Sequence, residues 1–400
     1  MAADDHEGGQ RGGDHRRGDG TLTAVSLVGA PAAAAVVEAW GEGRAVVVVD
    51  PRAPASERER LLEAVRPTHL VDGGGRRPLP GAEPVSPDVA AVVATSGTTG
   101  EPKGVELTWA GLLASAVAVS RALETGDADR WLCCLPLNGV GGLAVVARSW
   151  VTGVPLDVVP RFEVEAVNRS RATLVSLVPT LLARALDAGP DLSRFRRILV
   201  GGAPVEEDLR HRAEATGPRV TPTYGLSETW GGVVHDGRPL DGVEIRLGDD
   251  DEILVRGPVV MRGYRRRPDL TADVLGDEGW LRTGDVGAWS DDGALRVIER
   301  RDDLVISGGV NVSPTEVEAV LLDHPGVADV AVGGAADPEW GQRVVAYVVP
   351  TDPAEPPTLA GLRAYAAERL SVPKWPRQVV LVEAIPRTAG GKMRRRFLNV

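Results

Sequence analysis

The sequence predicts an α/β protein in which a large, layered N-terminal domain precedes a small α+β C-terminal domain. Short β-branched runs alternate with helical stretches from about Leu22 to Val220, which is typical of a largely parallel sheet covered by helices. After Gly242, short strands joined by Gly/Asp turns indicate a barrel-like subdomain, and a compact α+β pattern begins near Leu304. The length of 400 residues agrees with two domains.

The N-terminal domain is predicted from six strands and three helix starts. Helices are expected to begin at the capping box 56–59, at Thr108 and at Pro204, where the proline and the acids after it suit a helix start. The strands are expected at residues 45–49, 89–95, 156–159, 174–178, 197–200 and 219–223.

The second half of the chain is predicted to contain the smaller elements. A capping-box helix is expected to begin at Ser313, and the charged stretch 300–303 is the expected domain border. We therefore predict a disordered tail at residues 1–20, an N-terminal domain at 21–301 and a C-terminal domain at 302–400. The expected strands are 243–247, 252–255, 295–299, 328–332 and 343–349, and a last helix is expected at 359–370.

Composition excludes several classes of protein. A net charge of -11 and a pI near 5.2 argue against nucleic-acid binding, which needs a basic face. The sequence has no signal peptide and no apolar run approaching the roughly 20 residues of a membrane helix, so we expect no membrane insertion. The neighbours Cys133 and Cys134 are expected to be buried free thiols in a reducing cytoplasm. Whether the chain forms a homo-oligomer is left open.

The strongest motif is the loop TSGTTGEPKG at residues 95–104, which follows a predicted buried strand. Its glycines let backbone N–H groups close around phosphate oxygens, its hydroxyls add neutral donors, and its lysine adds charge. It is not a Walker loop, because no Gly-Lys-Ser/Thr opens a helix there. A polar surface turn is the alternative. The residues expected to bind phosphate are Thr95, Ser96, Gly97, Thr98, Thr99, Gly100 and Lys103.

A second motif, YGLSET at residues 224–229, follows the predicted strand 219–223, and open α/β sheets bind ligands at strand ends. Tyr224 is suited to stack on a base. Glu228 is suited to bind Mg²⁺, which prefers a carboxylate together with phosphate oxygens. The hydroxyl of Thr229 is a candidate donor to phosphate. An ordinary strand and turn is the alternative.

Two further segments carry charges suited to a nucleotide. Asp285 follows a glycine turn and can accept both hydroxyls of a ribose, and Arg300 can reach the same ribose or a phosphate. Lys392 lies on a Gly-Gly loop, which lets its charge move into and out of a site. Solvated turn residues and a basic solvated tail are the alternatives.

Taken in order, these four segments resemble those of the adenylate-forming superfamily of acyl-CoA synthetases, carrier-protein-charging adenylation domains and luciferases. The resemblance runs from about residue 85 onward. It implies the adenylate-forming enzyme fold, with an AMP-binding N-terminal domain and a mobile C-terminal domain. It also implies that ATP activates a carboxylic acid as an acyl-adenylate and that the acyl group then passes to coenzyme A. ATP, Mg²⁺ and coenzyme A are the implied cofactors.

The resemblance assigns a role to each matching residue. It implies that the loop 95–103 holds the β- and γ-phosphates, that Glu228 binds Mg²⁺ and that Thr229 contacts the α-phosphate. Asp302 is the implied hinge, and Lys392 is the implied catalytic lysine of adenylation. The residues implied to contact adenine or ribose are Gly201, Gly202, Ala203, Pro204, Tyr224, Gly225, Asp285 and Arg300.

Segments 224–232 and 236–242 resemble o-succinylbenzoate–CoA ligases of menaquinone biosynthesis, which implies o-succinylbenzoate as the acid. This acid has two carboxylates, and the one that is not adenylated needs a cationic partner, because burying an unpaired carboxylate is expensive. Arg184 and Arg148 are the candidates, with a solvated helix charge as the alternative for each.

Some positions depart from the family pattern. Glu299 stands where glycine commonly precedes the ribose arginine, and Asn138 and Gly139 replace an aromatic–histidine pair that gates the acyl tunnel. Gly139, Gly141 and Gly142 are expected to leave room for an aromatic ring.

Three functions are alternatives to an o-succinylbenzoate–CoA ligase. They are another aryl- or acyl-CoA ligase, a stand-alone adenylation domain that loads a carrier protein, and a non-catalytic nucleotide-binding protein.

Overall fold

The computed structural model describes residues 18–96, 102–189, 191–307, 310–387, 393 and 398. The chain divides into two compact units, Met1–Glu244 with Val255–Leu281, and Ile245–Leu254 with Arg282–Val400. The border expected between residues 301 and 302 lies inside the second unit, and the proposal that 302–400 moves as one domain stays a prediction.

The described elements alternate as expected for an α/β protein, and the predicted fold class is confirmed. The strands are β1 (Leu22–Val25), β2 (Ala45–Val48), β3 (His69–Asp72), β4 (Gly75–Pro78), β5 (Val89–Ser96), β6 (Pro102–Thr108), β7 (Trp131–Cys133), β8 (Leu156–Val158), β9 (Leu174–Leu177), β10 (Arg197–Gly201), β11 (Arg219–Leu226), β12 (Gly231–His235), β13 (Arg238–Pro239), β14 (Glu244–Leu247), β15 (Glu252–Arg256), β16 (Gly263–Tyr264), β17 (Leu281–Trp289), β18 (Leu295–Arg300), β19 (Val305–Ser307), β20 (Val310–Val312), β21 (Val327–Asp337), β22 (Gly341–Pro350) and β23 (Gln378–Leu381).

The helices lie between these strands, and none within the described residues is long and apolar enough to cross a membrane. They are α1 (Gly29–Gly41), α2 (Ala55–Val65), α3 (Trp109–Ala122), α4 (Val140–Thr152), α5 (Val164–Arg169), α6 (Pro179–Ala188), α7 (Glu207–Glu214), α8 (Pro268–Val274), α9 (Pro314–Leu322) and α10 (Leu359–Ala367).

The first unit contains two seven-stranded sheets whose central strands are parallel. The first sheet has the order β16-β6-β5-β2-β1-β3-β4, and β1, β2, β3 and β5 run in the same direction. The second has the order β13-β12-β11-β10-β9-β7-β8 and is parallel from β8 through β11. Buried valine, leucine and alanine side chains fill the core of each sheet. Parallel strands end at one edge of a sheet, so β10 and β11 bring their C-terminal residues together there.

The second unit is built from antiparallel strands and two helices. Strands β14-β15-β17-β18 form a four-stranded sheet, where the sequence indicated a barrel-like subdomain. A further sheet has the order β20-β19-β22-β21, with β23 parallel to β22. Valines of β21 and β22 pack with residues of α9 and α10 in one core.

Two predicted helix starts are wrong. The N-cap of α2 is Pro54, whose backbone is extended, so Ser56 lies inside the first turn and makes no capping bond. The N-cap of α7 is Glu206, also with extended backbone, so Pro204 precedes the helix and Glu207 opens it. In both places the backbone conformation just before the helix, which a residue pattern does not specify, decides where the helix begins.

Two other predicted caps are confirmed. The Thr108 hydroxyl accepts a hydrogen bond from the N–H of Gly111 at the start of α3, and the Ser313 hydroxyl accepts one from the N–H of Glu316 in α9. Each bond satisfies a backbone donor that the helix itself leaves unpaired.

The two cysteines lie at the end of β7 as buried free thiols. Cys133 Sγ is 3.6 Å from the carbonyl oxygen of Gly142, and Cys134 packs in the core of the second sheet. Burial raises the pKa of the Cys133 thiol to about 12 and raises the pKa of Cys134 as well. Both side chains are therefore neutral thiols at physiological pH.

Candidate active site

The predicted phosphate loop joins the antiparallel strands β5 and β6. Thr95 is opposite Lys103 in this pair, and Ser96 is opposite Pro102. The pairing brings the two ends of the loop together and directs both toward the same end of the sheet. Gly97, Thr98, Thr99 and Gly100 lie outside the described residues, as does the side chain of Ser96, so their phosphate contacts stay predictions.

The second motif continues the strand before it. β11 extends through Tyr224 and Gly225 to Leu226, three residues beyond the predicted end, and a one-turn 3₁₀ helix follows at Ser227–Thr229. A Cβ atom at Gly225 would lie 1.8 Å from the Gly231 carbonyl oxygen of β12, so only glycine allows this close approach. The tight return from β11 to β12 places the Glu228 side chain at the strand end.

Thr229 is engaged differently from what the motif predicts. Its side chain is fully buried, and its hydroxyl lies 2.8 Å from the Gly231 carbonyl oxygen and accepts from the Leu226 N–H at 3.0 Å. These bonds hold the turn, which argues against the predicted α-phosphate contact of Thr229. Ser227, half-buried in the same turn, is the more accessible hydroxyl beside Glu228.

The strand end next to this motif carries the predicted adenine segment. Gly201 is opposite Thr223 in the parallel pair β10–β11, and a Cβ atom at Gly201 would lie 2.7 Å from Thr223 Cγ2. Gly202 has a φ of +84°, which turns the chain away from the sheet toward Ala203 and Pro204. The structure therefore brings the segments 201–204 and 224–229 together at one sheet edge.

Glu228 is in contact with a residue that the sequence analysis missed. The Tyr264 hydroxyl donates to Glu228 Oε1 at 2.8 Å, and the Lys103 ammonium nitrogen lies 5.4 Å from the centroid of the same ring. A further hydrogen bond joins the Met261 N–H to the Glu228 carbonyl oxygen at 2.7 Å. No local pattern around Tyr264 indicated this role, because its partners lie far away in the sequence.

The two predicted ribose residues pair with each other in the second unit. Asp285 on β17 is opposite Arg300 on β18, and Asp285 Oδ1 is 3.1 Å from Arg300 Nη1. Arg300 Nη1 also donates to the Thr283 carbonyl oxygen at 2.5 Å. The buried Glu252 carboxylate accepts from the Gly284 N–H at 3.1 Å and so fixes the turn before Asp285. An acid and a guanidinium thus lie side by side, and their contact with a ribose stays a prediction.

The hinge and lysine predictions fall on residues of which little is described. Asp302 lies in the 3₁₀ turn Arg301–Asp303, and nothing is described of its side chain. Lys392 lies outside the described residues. Before the turn, Glu299 is buried, and its Oε2 accepts from the Thr315 N–H at 3.0 Å and from the hydroxyls of Thr315 and Ser313.

Arg148 is a buried cation in the first unit. Its side chain projects from α4 onto the second sheet, is 5% exposed, and donates to Ser176 Oγ at 3.2 Å. The guanidinium carbon lies 4.6 Å from the centroid of Trp131. Its Nε has no hydrogen-bond partner, and it forms no ion pair with any acidic side chain of the described residues. Burial lowers the pKa of Arg148 to about 10, so it stays charged at neutral pH.

The sheet face under α4 is polar around this arginine. Ser176 on β9 and Thr221 on β11 are both in register with the same residue of β10, so their side chains are on one face of the sheet. Thr223 is two residues after Thr221 and lies opposite His235, so these two side chains are on the same face. We call these four residues the polar floor. The Thr221 and Thr223 hydroxyls and both His235 ring nitrogens are buried without a partner among the described residues. Burial, followed by the charge of Arg148, lowers the pKa of His235 to about 4.

The remaining predictions about the acid pocket concern Arg184 and the glycines at the start of α4. Arg184 is exposed on α6, so its guanidinium stays in solvent, which argues against a buried carboxylate contact. A Cβ atom at Gly142 would lie 2.4 Å from the Pro136 carbonyl oxygen, and one at Gly141 would lie 3.2 Å from Leu135 Cδ1. These two glycines therefore allow close packing of the start of α4 against the preceding loop, and the room they leave is already filled.

Two family models match the chain in the order of its domains. The AMP-binding enzyme model matches residues 23–265, and the model of the AMP-binding enzyme C-terminal domain matches residues 316–392. The first match spans the phosphate loop, the YGLSET segment and Tyr264. The second begins in α9 and ends at Lys392.

Proteins named 2-succinylbenzoate–CoA ligase are similar in sequence to most of this chain. The chain is 42% identical over 330 residues to a probable 2-succinylbenzoate–CoA ligase of Mycobacterium tuberculosis, covering 79% of this chain and 85% of that protein. It is 37% identical over 339 residues to the 2-succinylbenzoate–CoA ligase of Bacillus licheniformis, covering 78% and 70%.

Solved structures show the same likeness in three dimensions. The Bacillus subtilis o-succinylbenzoate CoA synthetase in complex with its acyl-adenylate intermediate matches with a TM-score of 0.83 and 32% identity, covering 96% of this chain and 89% of that one. The same synthetase with ATP and magnesium ion matches with a TM-score of 0.82 and 31% identity, covering 96% and 90%.

Proposed function

The chain belongs to the AMP-binding enzyme family, and from this we propose that it is an ATP-dependent, AMP-forming carboxylic acid–CoA ligase. Its acid is o-succinylbenzoate, its product is o-succinylbenzoyl-CoA, and the reaction belongs to menaquinone biosynthesis. The observation that carries the choice of acid is the buried Arg148 guanidinium, which has no carboxylate partner among the described residues. The similarity to 2-succinylbenzoate–CoA ligases supports the same choice.

The proposed reaction has two half-reactions. In the first, a carboxylate oxygen of the acid attacks the α-phosphorus of ATP in line, the bond to the bridging oxygen breaks, and pyrophosphate leaves. In the second, the coenzyme A thiol loses its proton and attacks the carbonyl carbon of the acyl-adenylate, and AMP leaves. Both steps depend on positioning and on neutralising charge more than on covalent help from the protein.

The ATP site is proposed at the C-terminal edge of the first unit's strands. The loop 95–103 holds the β- and γ-phosphates, with Lys103 supplying charge. The segments 201–204 and 224–225 flank the adenine, an assignment that the pairing of β10 with β11 supports. For the second unit by itself, we propose that Asp285 and Arg300, which lie 3.1 Å apart, bind the ribose.

The residues around Glu228 fit a magnesium ion. The half-buried Glu228 carboxylate offers one oxygen to the Tyr264 hydroxyl and leaves the other for a cation, and Mg²⁺ is commonly bound by one carboxylate together with phosphate oxygens. When bound, Mg²⁺ neutralises charge on the phosphates. The protein's own part is to hold this carboxylate and Lys103 at their separate positions.

The acid pocket is proposed over the polar floor, with Arg148 as the partner of the carboxylate that is not adenylated. A buried charge without a partner destabilises a folded protein, so a site that keeps one is suited to a ligand of opposite charge. The hydroxyls of Thr221 and Thr223, which have no partner within the described part of the chain, are further donors for that carboxylate or for the keto oxygen of the succinyl chain. His235 is neutral at physiological pH and adds a donor without adding charge.

The C-terminal half is proposed to alternate between the half-reactions. Lys392 neutralises charge during adenylation, and rotation at Asp302 then withdraws it so that the thiol can enter. The match of the C-terminal family model to residues 316–392 supports a separate body after the hinge. We also place the protein in the cytoplasm, where ATP and coenzyme A are available and where two free thiols persist.

An acid panel tests this function. The purified protein is given ATP, Mg²⁺, coenzyme A and one acid at a time, and AMP, pyrophosphate and acyl-CoA are measured by liquid chromatography and mass spectrometry. We expect o-succinylbenzoate to give a kcat/KM at least about tenfold above that of benzoate or octanoate, because these acids lack the second carboxylate. A monocarboxylic acid with the higher value would overturn the choice of acid while leaving the ligase assignment intact. Adenylate formation without acyl transfer to coenzyme A would favour a carrier-protein-loading enzyme.

A further inference from the structure

Tyr264 contacts two groups of opposite charge that the proposed function uses separately. Its hydroxyl donates to Glu228 Oε1 at 2.8 Å, and the face of its ring lies 5.4 Å from the Lys103 ammonium nitrogen. All three side chains are half-buried. The described contacts include no ion pair between Lys103 and Glu228. One aromatic side chain therefore serves both the proposed metal carboxylate and the proposed phosphate lysine.

The backbone around Tyr264 is held on the strand that carries Lys103. Tyr264 pairs with Val105 in the short antiparallel contact of β16 with β6, and its N–H donates to Thr271 Oγ1 at 2.8 Å. The next residue, Arg265, donates its N–H to the Gly104 carbonyl oxygen at 2.7 Å. The backbone of Tyr264 is thus tied to β6.

The side chain of Arg265 fixes this contact further. It is buried, and its Nη1 is 3.0 Å from Oε1 of Glu106, which lies on β6. Its Nε donates to the Val65 carbonyl oxygen at 2.5 Å, and its Nη2 donates to the Glu83 carbonyl oxygen. On the other side, the Met261 N–H holds the Glu228 carbonyl oxygen. The segment 261–265 is therefore hydrogen-bonded both to the phosphate-loop strand and to the Glu228 turn.

This arrangement has a chemical consequence for both charges. A phenol that donates to one carboxylate oxygen fixes the orientation of the carboxylate and leaves the second oxygen for a cation. The ring face attracts the ammonium group through the negative potential of its π system, without a competing proton acceptor. The lysine and the glutamate contact the same aromatic side chain, and a direct ion pair between them would make each charge less available to a ligand.

We propose that Tyr264 is a positioning residue which orients Glu228 toward a divalent cation and keeps Lys103 apart from that carboxylate for the phosphates of ATP. This inference rests on the proposed function. It predicts that the hydroxyl and the ring have separable effects: the hydroxyl governs affinity for the metal, and the ring governs affinity for ATP.

Two substitutions at this position separate the effects. Tyr264→Phe removes the hydroxyl and keeps the ring, whereas Tyr264→Leu removes both. Tyr365→Phe is the matched control, because that hydroxyl donates only to the Asp323 carbonyl oxygen at 3.0 Å on an exposed part of the second unit. Thermal melting of each variant checks that the fold is retained.

Direct binding measurements provide the readout. Mn²⁺ serves as a spectroscopic probe, and its affinity for the full chain with a non-hydrolysable ATP analogue is measured by electron paramagnetic resonance. Binding of the analogue alone is measured by calorimetry with the metal chelated. For Tyr264→Phe we expect Mn²⁺ affinity to fall by about 10- to 100-fold, with metal-free binding changed less than about twofold. For Tyr264→Leu we expect metal-free binding to fall as well, and Tyr365→Phe should match the parent.

A double-mutant cycle with Glu228→Gln tests the connection directly. Once the carboxylate is removed, Tyr264→Phe should have little further effect on Mn²⁺ affinity, because the two residues act through one contact. Parental Mn²⁺ affinity in Tyr264→Phe, or effects that simply add in the cycle, would overturn the inference. If the parent still forms acyl-CoA in that case, the proposed function stands. A parent that binds neither the analogue nor Mn²⁺ would overturn both.

Discussion

Arg148, the proposed partner of the second substrate carboxylate, is a buried charge that is expected to lower fold stability. The guanidinium lies under α4, donates to a serine hydroxyl and lies against an aromatic face, and its Nε has no partner among the described residues. Stacking on Trp131 offsets part of the free energy lost when the charge leaves water. A neutral side chain of similar length would fit the same space without the desolvation penalty of a charge.

Arg148→Met is therefore expected to move stability and substrate binding in opposite directions. The KM for o-succinylbenzoate should rise by roughly 10- to 150-fold, which corresponds to a lost charge-assisted hydrogen bond of about 1.5–3 kcal/mol, while the KM for ATP changes little. The melting temperature should stay constant or rise, because an unpaired buried charge is removed. Steady-state kinetics and calorimetry measure both effects. The control is Arg184→Met, on the exposed face of α6, and an equal rise in KM for that variant would contradict the assignment.

His235 gives stability a dependence on pH. Its pKa is about 4 in the folded protein against 6.5 for an ordinary histidine, so between these values the unfolded chain binds a proton that the folded chain does not. Stability should therefore fall as pH decreases through this window, by up to about 3 kcal/mol. Urea unfolding between about pH 7.5 and pH 5 should show a shallower pH dependence for His235→Gln. The exposed His211, 3.0 Å from Glu207, is the control, and identical slopes for His235→Gln and the parent would exclude this cause.

At the scale of secondary-structure elements, the Glu299 side chain joins the end of β18 to the start of α9. Glu299, at the end of β18, accepts hydrogen bonds from three donors at the N-terminus of α9 and also contacts the N–H of Arg300 at 3.2 Å. A carboxylate at this end of a helix also interacts favourably with the helix dipole. The contact spans the predicted hinge at Asp302, and the glycine usual at this position in the family has no side chain to make it.

Glu299→Gly is expected to loosen α9 selectively. Loss of these bonds should weaken the first turn of the helix by about 1–2 kcal/mol, and the amides of residues 315–322 should exchange with solvent about tenfold faster. Hydrogen exchange with mass spectrometry measures this, and α10 is an internal control because Thr358 caps it independently. Uniformly faster exchange in α9 and α10 would indicate general destabilisation of the unit instead.

The proposed movement of the C-terminal half concerns the whole molecule, because it makes Lys392 necessary for adenylation and unnecessary for thioester formation. Lys392→Ala should reduce adenylation by about 10²- to 10³-fold, because a preorganised charge at the departing pyrophosphate is lost. Thioester formation from supplied acyl-adenylate should remain close to that of the parent. Quenched-flow assays of each half-reaction measure the two rates, and Lys374→Ala is the control, because that lysine pairs with Glu316 at 2.6 Å. Equal loss in both half-reactions would contradict a role confined to adenylation.

The sequence predicted those features that depend on local pattern. Runs of β-branched residues located the strands, and the glycine-rich and acidic motifs begin near the ends of strands β5 and β11, where ligand binding stays a proposal. Contacts between distant segments escaped prediction: Tyr264 meets Glu228 from 36 residues away, and Arg148 meets Ser176 from 28. The orientation of Thr229 was missed for a related reason, because the β11–β12 return decides which way that hydroxyl faces.

The buried thiols have a consequence for an enzyme that makes a reactive acyl donor. An acyl-adenylate is a mixed anhydride that acylates any accessible thiolate, and only the deprotonated sulfur is strongly nucleophilic. Both cysteines of this chain lie inside the fold, and Cys133 has a pKa near 12. The protein therefore offers its own intermediate no internal sulfur nucleophile and is protected against self-modification. Coenzyme A meets no competing thiol of the enzyme, and enzyme that is treated with a thiol-alkylating reagent and then freed of it should keep its activity as long as the fold is intact.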